Sequence, residues 1–287
     1  MKTYLKSFEI ASDNYEDSFL GRQRMTCFNS YYPFRIFYQK RLPKFEFSPI
    51  TIFYGGNGSG KSTLLNIIAE KLRIDRHTPF NTTKFMDDYV HGCKAEISAS
   101  GIPDESLIIA SDDIFNYLID LRYMNNGIDA KREDMMKDYY EKRKPMQLHS
   151  MDDYENYKKH VQAVRNTASK FIKNNLINNI KMASNGESAI KFFTTQINEN
   201  ALYLLDEPEN SMAPKMQLML KDYIESSVKG YDCQFIIATH SPFLLALEGS
   251  KIYDLDDINN TEKTWTEVEN TKIYYEFFKS HSDEFEK

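Results

Sequence analysis

Short apolar runs alternate with segments of helical periodicity along most of the chain. Strands are expected where aliphatic and aromatic residues cluster, at 50–54, 94–98, 106–110, 201–205, 234–238 and 251–255. Helices are expected where apolar residues recur three and four positions apart, at 62–72, 186–197 and 214–226. Strands that alternate with helices predict a mainly parallel sheet with helices on both faces, which is an α/β fold.

Two regions depart from this alternation. Residues 1–54 combine aromatic and β-branched residues with turn formers such as Pro33 and Pro49, which predicts strands in an antiparallel N-terminal sheet. Residues 129–183 are rich in Lys, Glu, Met and Asn, with Pro145 as the single breaker, which predicts a helical insertion of two helices within a single domain spanning 1–287.

The second of these helices carries apolar residues at coiled-coil spacing. They are Tyr154, Tyr157, Val161, Val164, Ala168 and Phe171. This seam is interpreted either as the face of a helix packed on its own domain or as part of an arm that binds a partner.

Composition excludes several classes of protein. With 41% hydrophobic and 27% charged residues in 287, the chain has a soluble globular composition, and its longest apolar runs reach five residues. Because a membrane helix needs about twenty, we expect no membrane insertion. The N-terminus resembles no secretion signal, and three cysteines at unrelated spacings predict no disulfide framework, so we expect a cytoplasmic protein. The net charge of −6 does not indicate nucleic-acid binding, although a local basic groove remains possible.

Residues 55–62 read Gly-Gly-Asn-Gly-Ser-Gly-Lys-Ser and fit the phosphate-loop pattern GxxxxGK[ST] between a predicted strand and helix. The glycines let backbone N–H groups surround a phosphate, and the helix dipole favours an anion there. Lys61 would reach the β- and γ-phosphates of ATP, and the Ser62 hydroxyl would bind Mg²⁺. The predicted nucleotide-binding residues are Gly55, Gly56, Asn57, Gly58, Ser59, Gly60, Lys61, Ser62 and Thr63.

Polar residues follow two further predicted strands. Asp206 and Glu207 end the apolar run 201–205, and His240 follows the run 234–238. Ligands of open α/β sheets bind at the carboxyl ends of the strands. Asp206 is therefore the predicted Mg²⁺ partner beside Ser62, and Glu207 the predicted base for an attacking water. His240 would contact the γ-phosphate or the water. The predicted catalytic residues are thus Lys61, Glu207 and His240, with a plain strand end as the alternative for the acidic pair.

A segment that suits an anion precedes the strand predicted at 201–205. Ser184, Asn185, Gly186 and Glu187 begin the helix predicted at 186–197. Their S-x-x-E spacing by itself describes a capping box, in which Ser184 caps the helix and Glu187 reaches back. Gly186 would also expose N–H groups that suit an anion.

Four motifs, in order, resemble those of the ATP-binding-cassette (ABC) type ATPases, a class of P-loop NTPases. GGNGSGKS is similar to Walker A, SNGE to the signature motif usually written SGGQ, LYLLDEPE to Walker B with its catalytic glutamate, and ATHS to the switch-histidine loop. Residues 206–214 depart from the DEPTSALD of transporter subunits. They look more like the soluble SMC, RecF and OLD branch and the compact AAA-family ATPases of bacterial defence operons.

The resemblance implies a head-to-tail homodimer with two ATP molecules at its interface. Ser184 and Gly186 of one copy would contact the γ-phosphate bound by Lys61 of the other, and residues 210–213 would line the interface. Asn185 departs from the signature glycine. For the Q-loop, the sequence offers residues 111–113, Ser-Asp-Asp, with an ordinary helix cap as the alternative. For adenine stacking or core packing, the aromatic candidates are Tyr31, Tyr32, Phe34 and Tyr38. The basic run 142–144 would touch phosphates or a partner, or lie on a solvated helix face.

We therefore expect an ATPase that hydrolyses ATP with Mg²⁺ to switch a protein effector, in DNA processing or phage defence. The alternatives are the nucleotide-binding subunit of a membrane transporter and an ATP sensor without turnover. A fused nuclease of the OLD type is not expected, because 47 residues (287 minus 240) follow His240, and Asp254-x-Asp256 there is interpreted as a strand end.

Overall fold

A computed structural model of the chain describes residues 2–23, 28–144, 154–176, 178, 185–210, 212–257 and 262–285. Its strands are β1 Leu5–Glu9, β2 Phe45–Glu46, β3 Ile50–Tyr54, β4 Asp75–Arg76, β5 Lys94–Ile97, β6 Leu107–Ala110, β7 Leu202–Asp206, β8 Gln234–Ala238, β9 Lys251–Asp254 and β10 Glu262–Lys263. Its helices are α1 Asp13–Arg22, α2 Lys61–Leu72, α3 Met86–Gly92, α4 Ser111–Lys142, α5 Tyr154–Arg165, α6 Ala168–Asn175, α7 Asn185–Gln196, α8 Pro214–Tyr231, α9 Pro242–Leu245, α10 Glu269–Ser280 and α11 Ser282–Phe285.

The main sheet has seven strands in the order β10-β9-β3-β8-β7-β6-β4. All neighbouring pairs are parallel except β10 with β9. Every residue of β3 and β8 is buried, as expected for strands covered on both faces. Because Ala238 pairs with both Phe53 and Asp206, the carboxyl ends of β3, β8 and β7 lie side by side. The predicted fold class is confirmed.

The antiparallel N-terminal sheet is also present, in the order β2-β1-β5, with its third strand taken from beyond the phosphate loop. The expectation that residues 1–54 consist of strands and turns is wrong at 13–22, which form α1. The Ser12 hydroxyl accepts a hydrogen bond from the Tyr15 amide, and Asp13 and Glu16 lie in the first turn. These capping and dipole contributions favour a helix where the aromatic residues alone indicated a strand.

Helix α2 is held in place by one apolar face. Leu64, Leu65, Ile67 and Ile68 are fully buried in a core shared with aromatic residues of the N-terminal segment and with strands of the main sheet. Burying each of these side chains contributes roughly 1.5–3 kcal/mol relative to exposing it. The start of α2, which carries Lys61, is therefore fixed against the sheet.

Residues 115–184 form a second compact unit, separate from the unit made by 1–114 and 185–287. Helix α4 begins at Ser111, well before residue 129, where composition had placed the start of the insertion. The core of this unit is Tyr139, Ala163, Phe171 and Ile172. The single predicted seam is wrong, because Tyr154 and Val164 are exposed and Thr167 caps a new helix, α6. The end of the predicted insertion, 179–183, lies outside the described residues.

Within the described ranges, no helix combines the length and the apolar composition that crossing a membrane requires.

Candidate functional site

The phosphate loop joins β3 to α2, as predicted, and its backbone requires glycine. Gly58 and Gly60 have φ angles of 82° and 102°, a region that favours glycine. A Cβ on Gly60 would lie 2.7 Å from the Phe37 ring, so the loop could not keep this position with a side chain there. The loop borders a cavity of about 290 Å³ lined by Ile36, Asn57, Gly58, Gly60, Lys61, Ser62, Thr63 and Glu207.

Lys61 places a buried ammonium group in this loop. Its Nζ donates hydrogen bonds to the carbonyls of Gly55 and Gly56, at 3.0 and 3.2 Å. Burial lowers the pKa of Lys61, and the negative charges of Glu207 and Asp206 partly oppose this shift. No carboxylate of the described part of the chain forms an ion pair with Lys61. A buried cation without a paired anion fits a polyphosphate ligand.

His240 follows β8 and meets Lys61 directly. Its Nε2 lies 2.7 Å from Lys61 Nζ. Because an ammonium group can only donate, Nε2 accepts this bond and the imidazole is neutral, with its proton on Nδ1. Burial and the Lys61 charge lower the pKa of His240, in agreement with the neutral form. Glu207 Oε1 lies 3.7 Å from His240 Nε2.

Ser62 and Asp206 supply the oxygen atoms predicted for Mg²⁺. The Ser62 hydroxyl donates to Asp206 Oδ1 at 3.0 Å. Burial raises the pKa of Asp206 to about 6, against the Ser62 hydrogen bond, which lowers it. The described residues contain no group of three or more His, Cys, Asp or Glu side chains able to hold a metal. Two protein oxygens fit Mg²⁺, which keeps several waters and binds substrate phosphates instead of filling an all-protein cage.

Glu207 has an unusual backbone conformation. Its φ of 47° is left-handed, a conformation that costs a non-glycine residue about 1–3 kcal/mol. Its amide donates to the Ala238 carbonyl at 2.9 Å, and Asn210 Nδ2 donates to Glu207 Oε2 at 3.1 Å. These bonds hold the carboxylate beside the phosphate-loop cavity.

Glu209 is a site residue that the sequence reasoning missed. Its Oε1 accepts hydrogen bonds from Thr239 Oγ1 and from the amides of His240 and Ser241, at 2.7, 2.8 and 3.1 Å. This one carboxylate therefore fixes the backbone that carries His240. The sequence does show a second acid two residues after Glu207. Its contacts with the residues that follow β8 form only because β7 and β8 are neighbouring strands.

Residues 31–42 pack on the outside of the phosphate loop. The Tyr32 hydroxyl donates to Thr63 Oγ1 at 3.1 Å, and Lys40 Nζ donates to the Ser59 carbonyl at 2.8 Å. Ile36 of the same segment lines the cavity. The N-terminal segment thus contacts both the loop and the start of α2.

The four aromatic candidates for adenine stacking lie in different surroundings. Phe34 is 4% exposed and stacks on Phe19 with ring centroids 4.6 Å apart, which agrees with the core-packing alternative. Tyr31 packs on Phe85, and Tyr38 lies under the Arg35 guanidinium. Tyr32 contacts Thr63, a predicted nucleotide-binding residue, through its hydroxyl group.

The signature segment is only partly visible. Ser184 lies outside the described residues, as does the Asn185 side chain. Gly186 is buried at the start of α7, where a Cβ would lie 2.7 Å from Cγ of Met216 on α8. Glu187 is exposed. Gly186 therefore has a packing role in one copy of the chain, and the contact of this segment with a second copy stays a prediction.

The Q-loop candidate and the basic run have local partners. Asp113 Oδ2 accepts the Ala110 amide at 2.7 Å, which is the geometry of a helix cap. Lys142 forms an ion pair with Asp138 one helical turn earlier, at 3.0 Å, and Arg143 is exposed. Both observations support the simpler alternatives, a cap and a solvated helix face.

The fold and this site together define a P-loop nucleotide-binding protein. Comparison with family models gives two matches: residues 182–245 match the AAA ATPase domain, and residues 32–69 match the AAA domain. The matched segments contain the phosphate loop, the ends of β7 and β8, and the signature segment. Over these two segments the chain is similar to ATPase domains of the AAA type, in agreement with the resemblance of its motifs.

No curated protein matches the chain. Among solved structures, the chain is similar to a dimeric ATP-binding cassette in a post-hydrolysis state bound to ADP and Pi, at 16% identity over 77% of this chain and 88% of that chain, with a TM-score of 0.36. It is also similar to a protein of Streptococcus thermophilus, at 14% identity over 74% of this chain and 71% of that chain, with a TM-score of 0.39. Both superpositions are loose.

Proposed function

We propose that the chain binds ATP with Mg²⁺ in the phosphate-loop cavity and hydrolyses it to ADP and phosphate. The observation that supports this most is a convergence of side chains from three elements. Lys61 Nζ and His240 Nε2 are 2.7 Å apart, Glu207 Oε1 lies 3.7 Å from the same imidazole, and Ser62 meets Asp206 at 3.0 Å. A cation, a base and two magnesium ligands thus surround one glycine loop.

Each residue has a role that follows from its surroundings. Lys61 would turn from the loop carbonyls to the β- and γ-phosphates, and Ser62 and Asp206 would hold Mg²⁺. The metal, when bound, supplies charge neutralisation of the phosphates. Glu207 would accept the proton of the attacking water, and neutral His240, with its backbone fixed by Glu209, would hold that water or the γ-phosphate.

The resemblance to the soluble SMC, RecF and OLD branch extends the proposal. Two copies would close head to tail around two ATP molecules, with Ser184, Asn185, Gly186 and Glu187 of each copy facing the other copy's phosphates. Hydrolysis would open this homodimer and switch a protein effector in the cytoplasm, in DNA processing or antiviral defence. The exposed position of Glu187 at the start of α7 is compatible with such a contact.

The test is phosphate release and ATP binding in the wild type and in Glu207→Gln. Removing the base is expected to lower turnover by about 10²–10³-fold while ATP binding is kept. Glu248→Gln is the matched control, because Glu248 is an exposed carboxylate paired with Lys229 away from the cavity. ATP binding by the wild type without phosphate release would support the sensor alternative, and co-purification with a membrane protein would support the transporter alternative.

A further inference from the structure

Asp256, just beyond β9, makes a contact with the phosphate loop that the proposed chemistry does not use. Its Oδ2 accepts a hydrogen bond from the Gly56 amide at 2.5 Å. The same oxygen lies 3.2 and 3.3 Å from the points where Cβ atoms on Gly55 and Gly56 would be. The carboxylate therefore fits closely against the two glycines that open the loop.

This contact follows from the register of the sheet. Strands β3 and β9 are parallel neighbours, and Tyr54 pairs with Asp254. Gly56 and Asp256 are each two residues further along their chains, so they leave the sheet side by side. The geometry depends on strand order, which explains why the sequence pattern alone gave Asp256 no role beyond a strand end.

A buried ion pair fixes the backbone at Asp256. Asp254 is 5% exposed, and its Oδ2 lies 2.8 Å from Lys263 Nζ. Its other oxygen, Oδ1, accepts the Asp256 amide at 3.0 Å. Lys263 also pairs with Asp257, at 2.9 Å. The backbone that carries Asp256 is thus fixed, while the Asp256 side chain itself is exposed and directed to the loop.

The peptide at Gly55 and Gly56 is held from two sides. Lys61 Nζ binds both carbonyls, and Asp256 binds the Gly56 amide. If Lys61 turns to a bound phosphate, as the proposed function requires, the carbonyls lose this partner. The Gly56 carbonyl then keeps the Ser59 amide at 3.1 Å, and Asp256 is the side chain that holds the amide of Gly56.

We propose that Asp256 is a positioning residue that anchors the opening of the phosphate loop and thereby sets the affinity for nucleotide phosphates. This inference rests on the proposed function, since it presumes that the loop binds ATP. It acts through the hydrogen-bond acceptor, not through the negative charge. An amide oxygen in the same position should therefore serve nearly as well as the carboxylate.

The test is equilibrium ATP binding to the full chain, with Asp256→Ala, Asp256→Asn and the control Glu248→Gln, whose carboxylate is exposed and pairs with Lys229. Asp256→Ala, which has no acceptor, is expected to bind ATP about tenfold more weakly, with a higher KM and little change in kcat. Asp256→Asn and Glu248→Gln are expected to stay within about threefold of the wild type. Thermal unfolding of each nucleotide-free variant verifies that it is folded, which is expected because the Asp256 side chain is exposed.

Two results would overturn the inference. One is unchanged or equally weakened binding in the Ala and Asn variants, which would remove the role of the acceptor. The other is tighter binding in both variants, with a gain in affinity over the wild type that grows from AMP to ADP to ATP. That result would show that the Asp256 charge repels the phosphates. Absence of ATP binding by the wild type would instead contradict the proposed function itself, so the two failures are distinguishable.

Discussion

The carboxyl ends of β7 and β9 both carry acidic residues beside the phosphate loop, yet their surroundings differ. At β7, Asp206 Oδ1 accepts a hydrogen bond from the Ser62 hydroxyl at 3.0 Å, and burial raises the pKa of Asp206 to about 6. At β9, Asp254 is paired with Lys263 at 2.8 Å, and Asp256 binds the Gly56 amide. The same residue type at the same edge of one sheet thus has two different sets of partners.

The two strand ends differ in whether their carboxylate has a cationic partner: Asp254 pairs with Lys263, whereas Asp206 accepts a hydrogen bond from the neutral Ser62 hydroxyl. A buried carboxylate without a cation is costly, and a magnesium ion would remove that cost. A carboxylate already paired with a lysine has no such requirement. We therefore propose metal binding at the β7 end and support of the loop at the β9 end.

The largest expected effect comes from neutralising the β7 end. Asp206→Asn should lower Mg²⁺-dependent phosphate release by about 10³-fold, because the remaining amide is a poor magnesium ligand. The variant should stay folded. Phosphate release at several Mg²⁺ concentrations measures this effect, and wild-type activity in the variant would show that Asp206 is not the metal partner.

Removing the corresponding charge at the β9 end should act on stability. Asp254→Ala leaves Lys263 with Asp257 alone and removes the acceptor of the Asp256 amide. The free energy of unfolding should fall by about 2–3 kcal/mol, since Lys263 loses its buried partner and keeps only the more exposed Asp257. Urea denaturation measures the loss. A variant as stable as the wild type would contradict the structural role of this strand end.

The smallest expected effect is a stability difference at the β7 end. Because burial raises the pKa of Asp206 from 3.8 to about 6, the folded protein binds this proton more tightly than the unfolded chain. The group therefore costs stability above its unfolded pKa, and the cost is complete above pH 6. In EDTA at pH 8, Asp206→Asn should be more stable by about 1–2 kcal/mol, after allowance for partial exposure.

This gain should shrink as the pH is lowered through 6, and it should vanish only below the unfolded pKa of 3.8, where the wild-type carboxyl group is protonated in both states. Urea denaturation of wild type and variant at pH 8, 6 and 4.5 measures the difference. An equal difference at every pH would contradict a raised pKa for Asp206.

The elements that the sequence predicted well are those determined by local pattern. The glycine loop at 55–62, strand β8 and the acidic end of β7 are each visible within a few residues of sequence. The segment of helix α1 was predicted to be a strand because its aromatic residues favour one. Its capping by Ser12 favours a helix instead. The start of α4 was missed because its first half lacks the Lys-rich and Glu-rich composition by which its second half was predicted to be helical.

The supporting residues of the site could not be predicted for a different reason. Glu209 and Asp256 act through partners about 30 and 200 residues away, His240 and Gly56. Those contacts exist only because β7 lies beside β8 and β9 lies beside β3. Strand order of this kind is not encoded in any local spacing, so the sequence alone assigned Asp256 to a plain strand end.

The proposed function requires that two copies close around ATP, each completing the other's site. The most direct measurement is the molar mass of Glu207→Gln in solution, by light scattering, with and without ATP and Mg²⁺. We predict a monomer without nucleotide and a dimer, with one ATP per chain, when both are present. ATP bound at full occupancy to a protein that stays monomeric would contradict the proposal.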